Sequence, residues 1–169
     1  ICLSAEGGYI VKCKWIDSPV ATESSDECGD KADLSLLREA TRQIDAYLNR
    51  KLTCFDLPLQ LNGTPFQKDV WECLKTIPYG STISYKDLAI RVGNPKATRA
   101  VAGACGRNPV PIIVPCHRVV AANATIGGYT GGLDKKRFLL NLEIEEAFVC
   151  QKGLNTSRIP IATPRNALL

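Results

Sequence analysis

The chain has 169 residues, enough for one domain or two small ones at roughly 150 residues each. Apolar residues make up 45% and charged residues 22%, close to average usage, which excludes disorder and low-complexity fibres. Its net charge is +4, and with no run near ~18 apolar residues and no basic-then-apolar start at Ile1–Glu6, neither a membrane span nor a secretion signal is expected.

The eight cysteines fall short of disulfide-scaffold density and none form a C-x-x-C pair, so they read as free thiols in a reducing compartment. An intracellular protein is expected, nuclear if eukaryotic and cytoplasmic if prokaryotic. Glycosylation sequons at Asn62, Asn123 and Asn155 carry little weight without a secretion signal. Charge is unevenly placed. Residues 1–61 hold 7 Lys/Arg against 10 Asp/Glu, residues 62–133 hold 8 against 3, and residues 134–169 hold 6 against 4. Within 75–121 the count is 7 to 1, with Asp87 the one acid. Such a focus suits a polyanion, although charge alone fits a solvated face equally well.

In chain order, residues 1–16 alternate around Gly7-Gly8, with Tyr9, Val11, Cys13 and Trp15 on one side, which predicts a β-hairpin. Residues 17–33 read as an acidic loop. From Leu34 to Leu52, apolar positions 37, 40, 44, 47 and 48 keep a helical period. Leu57, Leu59 and Leu61 alternate as a short strand. Thr64-Pro65 then supplies an N-cap and a first-turn proline for a helix that Pro78 stops. The composition change and the cap place a domain boundary near Asn62.

Ser84-x-x-Asp87 predicts a capped helix that Gly93-Asn94-Pro95 breaks, after which Ala97, Ala100, Val101 and Ala104 repeat the spacing. Two short helices across a glycine-containing turn fit a helix-turn-helix, or equally a structural αα-hairpin. The second helix presents Lys96, Thr98, Arg99 and Ala102, a small and basic face with few base-reading side chains. Residues 108–115 form a stiff, proline-punctuated approach to Cys116-His117-Arg118, read as an edge or buried extended connection. The chain's one histidine is adjacent to Cys116, and a thiolate beside cations or a histidine is a nucleophile with lowered pKa. Neighbours in an extended chain point opposite ways, so a direct Cys116–His117 bond needs a turn and a bridging water is easier. A Cys-His dipeptide alone more often marks a buried small hydrophobe beside a core histidine. Zinc binding would need Cys2, Cys13 and Cys28 to converge across loops.

Pro115-Cys116-His117-Arg118-Val119, preceded by Arg99-Ala100-Val101 and Asn108-Pro109 and followed by Gly128-Tyr129-Thr130-Gly131-Gly132-Leu133, resembles the O6-alkylguanine-DNA alkyltransferases. The likeness covers about residues 62–145 densely. It implies an α/β chain: a ribonuclease H-like N-terminal α/β domain over 1–61, a mostly helical domain with a winged or helix-turn-helix motif over 62–150, and a loose tail over 151–169. The implied activity is direct reversal of DNA damage, one irreversible transfer from O6-alkylguanine to a cysteine after nucleotide flipping, with O4-alkylthymine left open. Cys116 would accept the alkyl group, His117 would activate it through a water, and Glu143 would orient the imidazole. Tyr85 would promote phosphate rotation and donate toward guanine N3, and Arg99 would fill the hole left by the flipped nucleotide. Lys96, Ala97, Thr98 and Ala102 would line the DNA. Asn108 would hold the turn before the cysteine segment, backbone carbonyls of Cys116 and Val119 would accept from the guanine amino group, and Tyr129 and Thr130 would close over the base.

Three departures stand out. Ala102 replaces the usual glycine and adds a methyl on the groove-facing helix, Thr130 replaces a frequent serine, and the N-terminal histidines of zinc-bearing members are missing. No metal and no cofactor are therefore expected. The expected partner is double-stranded DNA carrying O6-alkylguanine, met by a monomer, with cooperative binding along DNA left open. Two rivals compete with this reading. A sensor of alkylated bases, as in the alkyltransferase-like proteins, lacks the cysteine; a cysteine hydrolase needs turnover and an oxyanion hole.

Overall fold

The computed structural model describes residues 1–16, 31–121 and 125–152, and the side chains of 145–152 are not among those described. Cys28, Asn123, Asn155, most of the expected acidic loop and the tail from residue 153 lie outside the described residues, as does the Cys150 side chain.

Strands β1 (Cys2–Glu6) and β2 (Tyr9–Lys14) form an antiparallel hairpin. Its turn uses Gly7 and Gly8 at φ 59 and 82, a left-handed pair that glycine adopts without strain. The register shifts between Ser4 and Ala5, so Val11 is an extra residue in β2. This bulge offsets the expected alternation: Ile10 and Cys13 are buried, whereas Tyr9 is exposed. Helix α1 (Lys31–Leu48) lies against the hairpin and buries Ala40, Gln43, Ile44 and Tyr47. Asp33 at its start accepts from the Gly7 and Gly8 amides at 3.2 and 2.7 Å, tying helix to turn. The strand expected around Leu59 reduces to one parallel bridge with Ile10, because Ile10 alone exchanges hydrogen bonds with that segment.

Helix α2 (Pro65–Lys75) begins at a capping box in which Thr64 and Gln67 satisfy each other's backbone amides. It carries Trp71, whose indole donates to the Ala104 carbonyl at 2.9 Å. The two-residue strand β3 (Ile83–Ser84) leads into α3 (Tyr85–Arg91), capped by Ser84 and Asp87. Gly93, at φ 80, ends α3 in the left-handed conformation and turns the chain into α4 (Thr98–Gly106). Helices α2, α3 and α4 pack on one another through Leu74, Leu88, Ala89, Val101 and Ala104. Ala100, expected on the inner face of α4, is exposed instead. The strand β4 (Val119–Val120) pairs in parallel with β3 and sets the cysteine segment beside the helix pair. Helix α5 (Leu133–Lys152) closes the fold and buries Lys136, Leu139, Leu142 and Glu143. Among the described residues, no helix is long and apolar enough to cross a membrane.

Candidate active site

The cysteine segment is held by its own backbone and by Asn108. That side chain donates from Nδ2 to the Val114 carbonyl at 2.8 Å and accepts from the Val110 amide at 3.1 Å, closing a loop over the proline-rich stretch. Ile112 sits at φ 78, a strained conformation for a β-branched residue, and is fully enclosed by packing. Cys116–Arg118 then form a single 3-10 turn, with the Arg118 amide donating to the Pro115 carbonyl at 3.1 Å. The extended connection expected here is thus a turn. Extended backbone would drive Cys116 and His117 to opposite faces, whereas a 3-10 turn fans three consecutive side chains into three different neighbourhoods.

His117 and Arg118 turn inward onto Glu143 of α5, which is buried. Glu143 Oε1 lies 2.9 Å from His117 Nε2 and 2.9 Å from Arg118 Nη2, and Arg118 Nε is 3.0 Å from Oε2. The Gly80 amide donates to Oε2 at 3.0 Å, and the Tyr47 hydroxyl donates to Oε1 at 2.7 Å. Burial pushes the Glu143 carboxyl up, but hydrogen bonds from His117 and Arg118 and the Arg118 charge outweigh it and hold it at about 2. Glu143 is therefore ionised and can only accept, so His117 presents Nε2–H to it. Burial also drives the His117 pKa below its ordinary value despite the Glu143 contact. The imidazole is then neutral, and Nδ1, buried and without a hydrogen-bond partner among the described residues, is left as an acceptor.

Cys116 turns the other way and lines two adjoining cavities. One, of about 380 Å³, is bounded by Tyr85, Ala102, Gly128, Tyr129 and Thr130. The other, of about 520 Å³, opens toward β2, Asn108 and Pro109. Tyr129 and Thr130 line both cavities, and Tyr85 lines the smaller one. The Tyr85 hydroxyl donates to the Gly128 carbonyl at 3.3 Å, the Thr130 hydroxyl to the Gly106 carbonyl at 2.7 Å, and Trp15 Nε1 to the Tyr129 hydroxyl at 3.3 Å.

The lowered thiol pKa expected from the sequence is reversed. Burial raises the Cys116 thiol above its ordinary value, and the Asn108 side chain and Lys136 only partly counter this. A thiol this enclosed rests protonated and needs a base. Lys136 was not apparent in the sequence reading. Its ammonium is fully buried and donates to the Val119 carbonyl at 2.7 Å and the Gly128 carbonyl at 3.1 Å, 5.8 Å from the Tyr85 ring centre. Burial lowers its pKa, while Cys116 and Cys105 raise it. Spacing of seven residues between Lys136 and Glu143 puts both on one face of α5, which is the signal that could have found it.

On the outer surface, Lys96 and Arg99 are exposed at the start of α4, and Ala97, Thr98 and Ala102 are half-buried beside them. Ala102 and Cys105 are the α4 side chains that line the smaller cavity. The basic residues and the cavity above Cys116 thus share one side of the helix pair.

A family model described as the DNA binding domain of 6-O-methylguanine DNA methyltransferase matches residues 65–145, and one described as the ribonuclease-like domain of the same proteins matches residues 1–61. The chain is 57% identical over 106 residues to the methylated-DNA–protein-cysteine methyltransferase of Methanosarcina acetivorans, covering 63% of this chain and 68% of that protein. Identity to the Mycobacterium tuberculosis protein of the same name is 52% over 108 residues, covering 64% of this chain and 66% of that one. The crystal structure of Mycobacterium tuberculosis OGT in complex with DNA superposes with a TM-score of 0.73 at 42% identity, covering 85% of each chain. The chain belongs to the 6-O-methylguanine DNA methyltransferase family.

Proposed function

We propose that the protein repairs O6-alkylguanine in double-stranded DNA by a single, irreversible transfer of the alkyl group to Cys116. The observation that carries this reading is the buried thiol at the floor of a base-sized cavity, next to a neutral histidine whose bare Nδ1 faces away from its Glu143 anchor. The helix pair docks on the duplex with Lys96, Ala97, Thr98 and Ala102, and Arg99 fills the space of the flipped nucleotide. Flipping costs a few kcal/mol, which contacts to the extruded base offset. In the cavity, the Val119 and Cys116 carbonyls accept from the guanine amino group, Tyr129 and Thr130 close over the ring, and Tyr85 donates toward N3.

His117 Nδ1 takes the thiol proton through a water while sulfur attacks the alkyl carbon. The carbon–O6 bond breaks, its electron pair stays with O6 and spreads into the guanine ring, and the ring takes one proton from water while the His117 imidazolium returns the thiol's proton to water, which leaves ordinary guanine and a neutral imidazole. The thioether has no carbonyl for water to attack, so Cys116 is not regenerated. O4-alkylthymine carries the same alkyl–oxygen bond, and its substitution into the assay measures whether the cavity accepts a pyrimidine.

The test is intact-mass analysis after incubation with excess O6-methylguanine duplex. One methyl group per chain, mapped to Cys116 and reaching a plateau without added cofactor, is the expected result. A plateau well above one equivalent with recovery of free Cys116 overturns it.

A further inference from the structure

The N-terminal region contains no chemical motif of its own, yet one of its side chains reaches the centre of the site. Tyr47 projects from the buried face of α1, and its hydroxyl lies 2.7 Å from Glu143 Oε1 and 3.3 Å from His117 Nε2. Its ring packs against Phe55 at 5.1 Å and edge-on against Tyr79 at 5.9 Å between centroids, contacts that a phenylalanine would make equally well. The hydroxyl therefore has no packing task, and a buried hydroxyl is costly unless it is hydrogen-bonded.

We propose that Tyr47 is a positioning residue for the transfer to Cys116, its hydroxyl lowering the proton affinity of His117 by sharing Glu143 Oε1 with it. A phenol has one proton, and the ionised Glu143 carboxylate can only accept, so that proton is committed to Oε1. The tyrosine oxygen then offers only lone pairs to Nε2. Nε2 faces two oxygens, neither with a proton to give, and must carry the hydrogen itself, which leaves Nδ1 as the base. The same hydrogen bond withdraws charge from Glu143, so the carboxylate holds a proton on the imidazole less strongly. The other groups acting on His117 are Arg118 from its own turn and Lys136 from α5, both cations that disfavour its protonation. Losing the Tyr47 hydroxyl shifts this balance toward imidazolium.

This inference rests on the proposed alkyl transfer, and its test separates the two. The full chain and Tyr47→Phe are compared by 15N NMR of the imidazole, whose signals are unambiguous because the chain has one histidine. They are also compared in single-turnover transfer from O6-methylguanine duplex across pH, and in duplex binding. The expected wild-type spectrum shows a protonated Nε2 and a bare Nδ1. In Tyr47→Phe the transfer rate falls about tenfold at neutral pH, its acid limb moves to higher pH, and the imidazole signals change to those of the imidazolium at a higher pH than in the wild type, while DNA affinity is unchanged. A wild-type spectrum with the hydrogen on Nδ1 overturns the proposal whatever the variant does. Slow transfer in Tyr47→Phe with an unshifted acid limb and an unshifted imidazole titration overturns it as well, because that pattern marks a scaffold contact only. The imidazole measurement needs no alkylated DNA, so failure of the wild-type protein to accept a methyl group would sink the proposed function without deciding the role of Tyr47.

Discussion

Lys136 Nζ donates to the Val119 carbonyl at 2.7 Å, so a buried ammonium on α5 holds the backbone three residues beyond Cys116. The same cation donates to Gly128 on the far side of the cavity and thereby ties the cysteine segment to the loop over the base site. Lys136→Met keeps the length of the chain and removes the charge. Two carbonyls lose a charged donor, which costs about 1–3 kcal/mol and lowers the melting temperature by several degrees. With no cation to favour the thiolate, alkyl transfer is expected to slow at neutral pH and to recover partly as pH rises. A variant with wild-type stability and rate would show that the ammonium is inert.

Arg99 is exposed on the surface, apart from the Cys116 network, so its loss should spare the chemistry and impair access to it. Arg99→Ala is expected to lower repair of duplex DNA at least tenfold while leaving reaction with free O6-benzylguanine nearly unchanged, since the free base needs no flipping. Equal losses on both substrates would remove the assignment.

Thiol reactivity should depend on the probe. Cys2 and Cys54 are exposed, whereas Cys13, Cys105 and Cys116 are buried. Burial pushes the Cys13 and Cys105 thiols up to about 12 and raises Cys116 as well. Iodoacetamide at neutral pH is therefore expected to label Cys2 and Cys54 first, whereas alkylated DNA labels Cys116 alone. Peptide mapping that places the DNA-derived group on Cys13 or Cys105 contradicts the site.

Acid should lower the stability of the protein through two coupled titrations, those of His117 and Glu143. The His117 pKa is lowered below 6.5 in the fold, so the unfolded chain binds the extra proton and stability declines as pH falls below that value. The Glu143 carboxyl is lowered from 4.5 to about 2, so its contribution is full above 4.5 and is lost as pH falls toward 2. At about 1.4 kcal/mol per unit, the second titration is on the order of 3 kcal/mol. Denaturant titrations across pH 3–7 check this, and Glu143→Gln is expected to flatten the lower part of the profile. A stability profile that stays flat from pH 7 to pH 3 would show that the network is not coupled to folding.

Much of the site was legible in the sequence because it is encoded locally. The Pro-Cys-His-Arg run, the capping boxes of α2 and α3 and the Gly-Tyr-Thr-Gly-Gly loop are contiguous, and capping residues, prolines and glycines act on their immediate neighbours. Other features were decided by tertiary structure. The hairpin alternation failed at a one-residue bulge, since Ile10 pairs with a distant segment as well as with β1. The cysteine segment became a turn because Asn108 holds the Val114 carbonyl six residues on and the buried Ile112 backbone bends four residues before Cys116.

The sequence by itself determined the candidate nucleophile, its neighbouring histidine and the basic helix pair, all carried by residue identity and short-range periodicity. Only the fold decided the protonation states and the membership of the network. Tyr47 meets His117 across 70 residues and Glu143 across 96, and Lys136 reaches Val119 across 17. The physical reason is that burial and charge proximity set a pKa, and both are properties of packed space. A motif that suggested a ready thiolate therefore folds into a protonated thiol beside a neutral histidine held by Glu143.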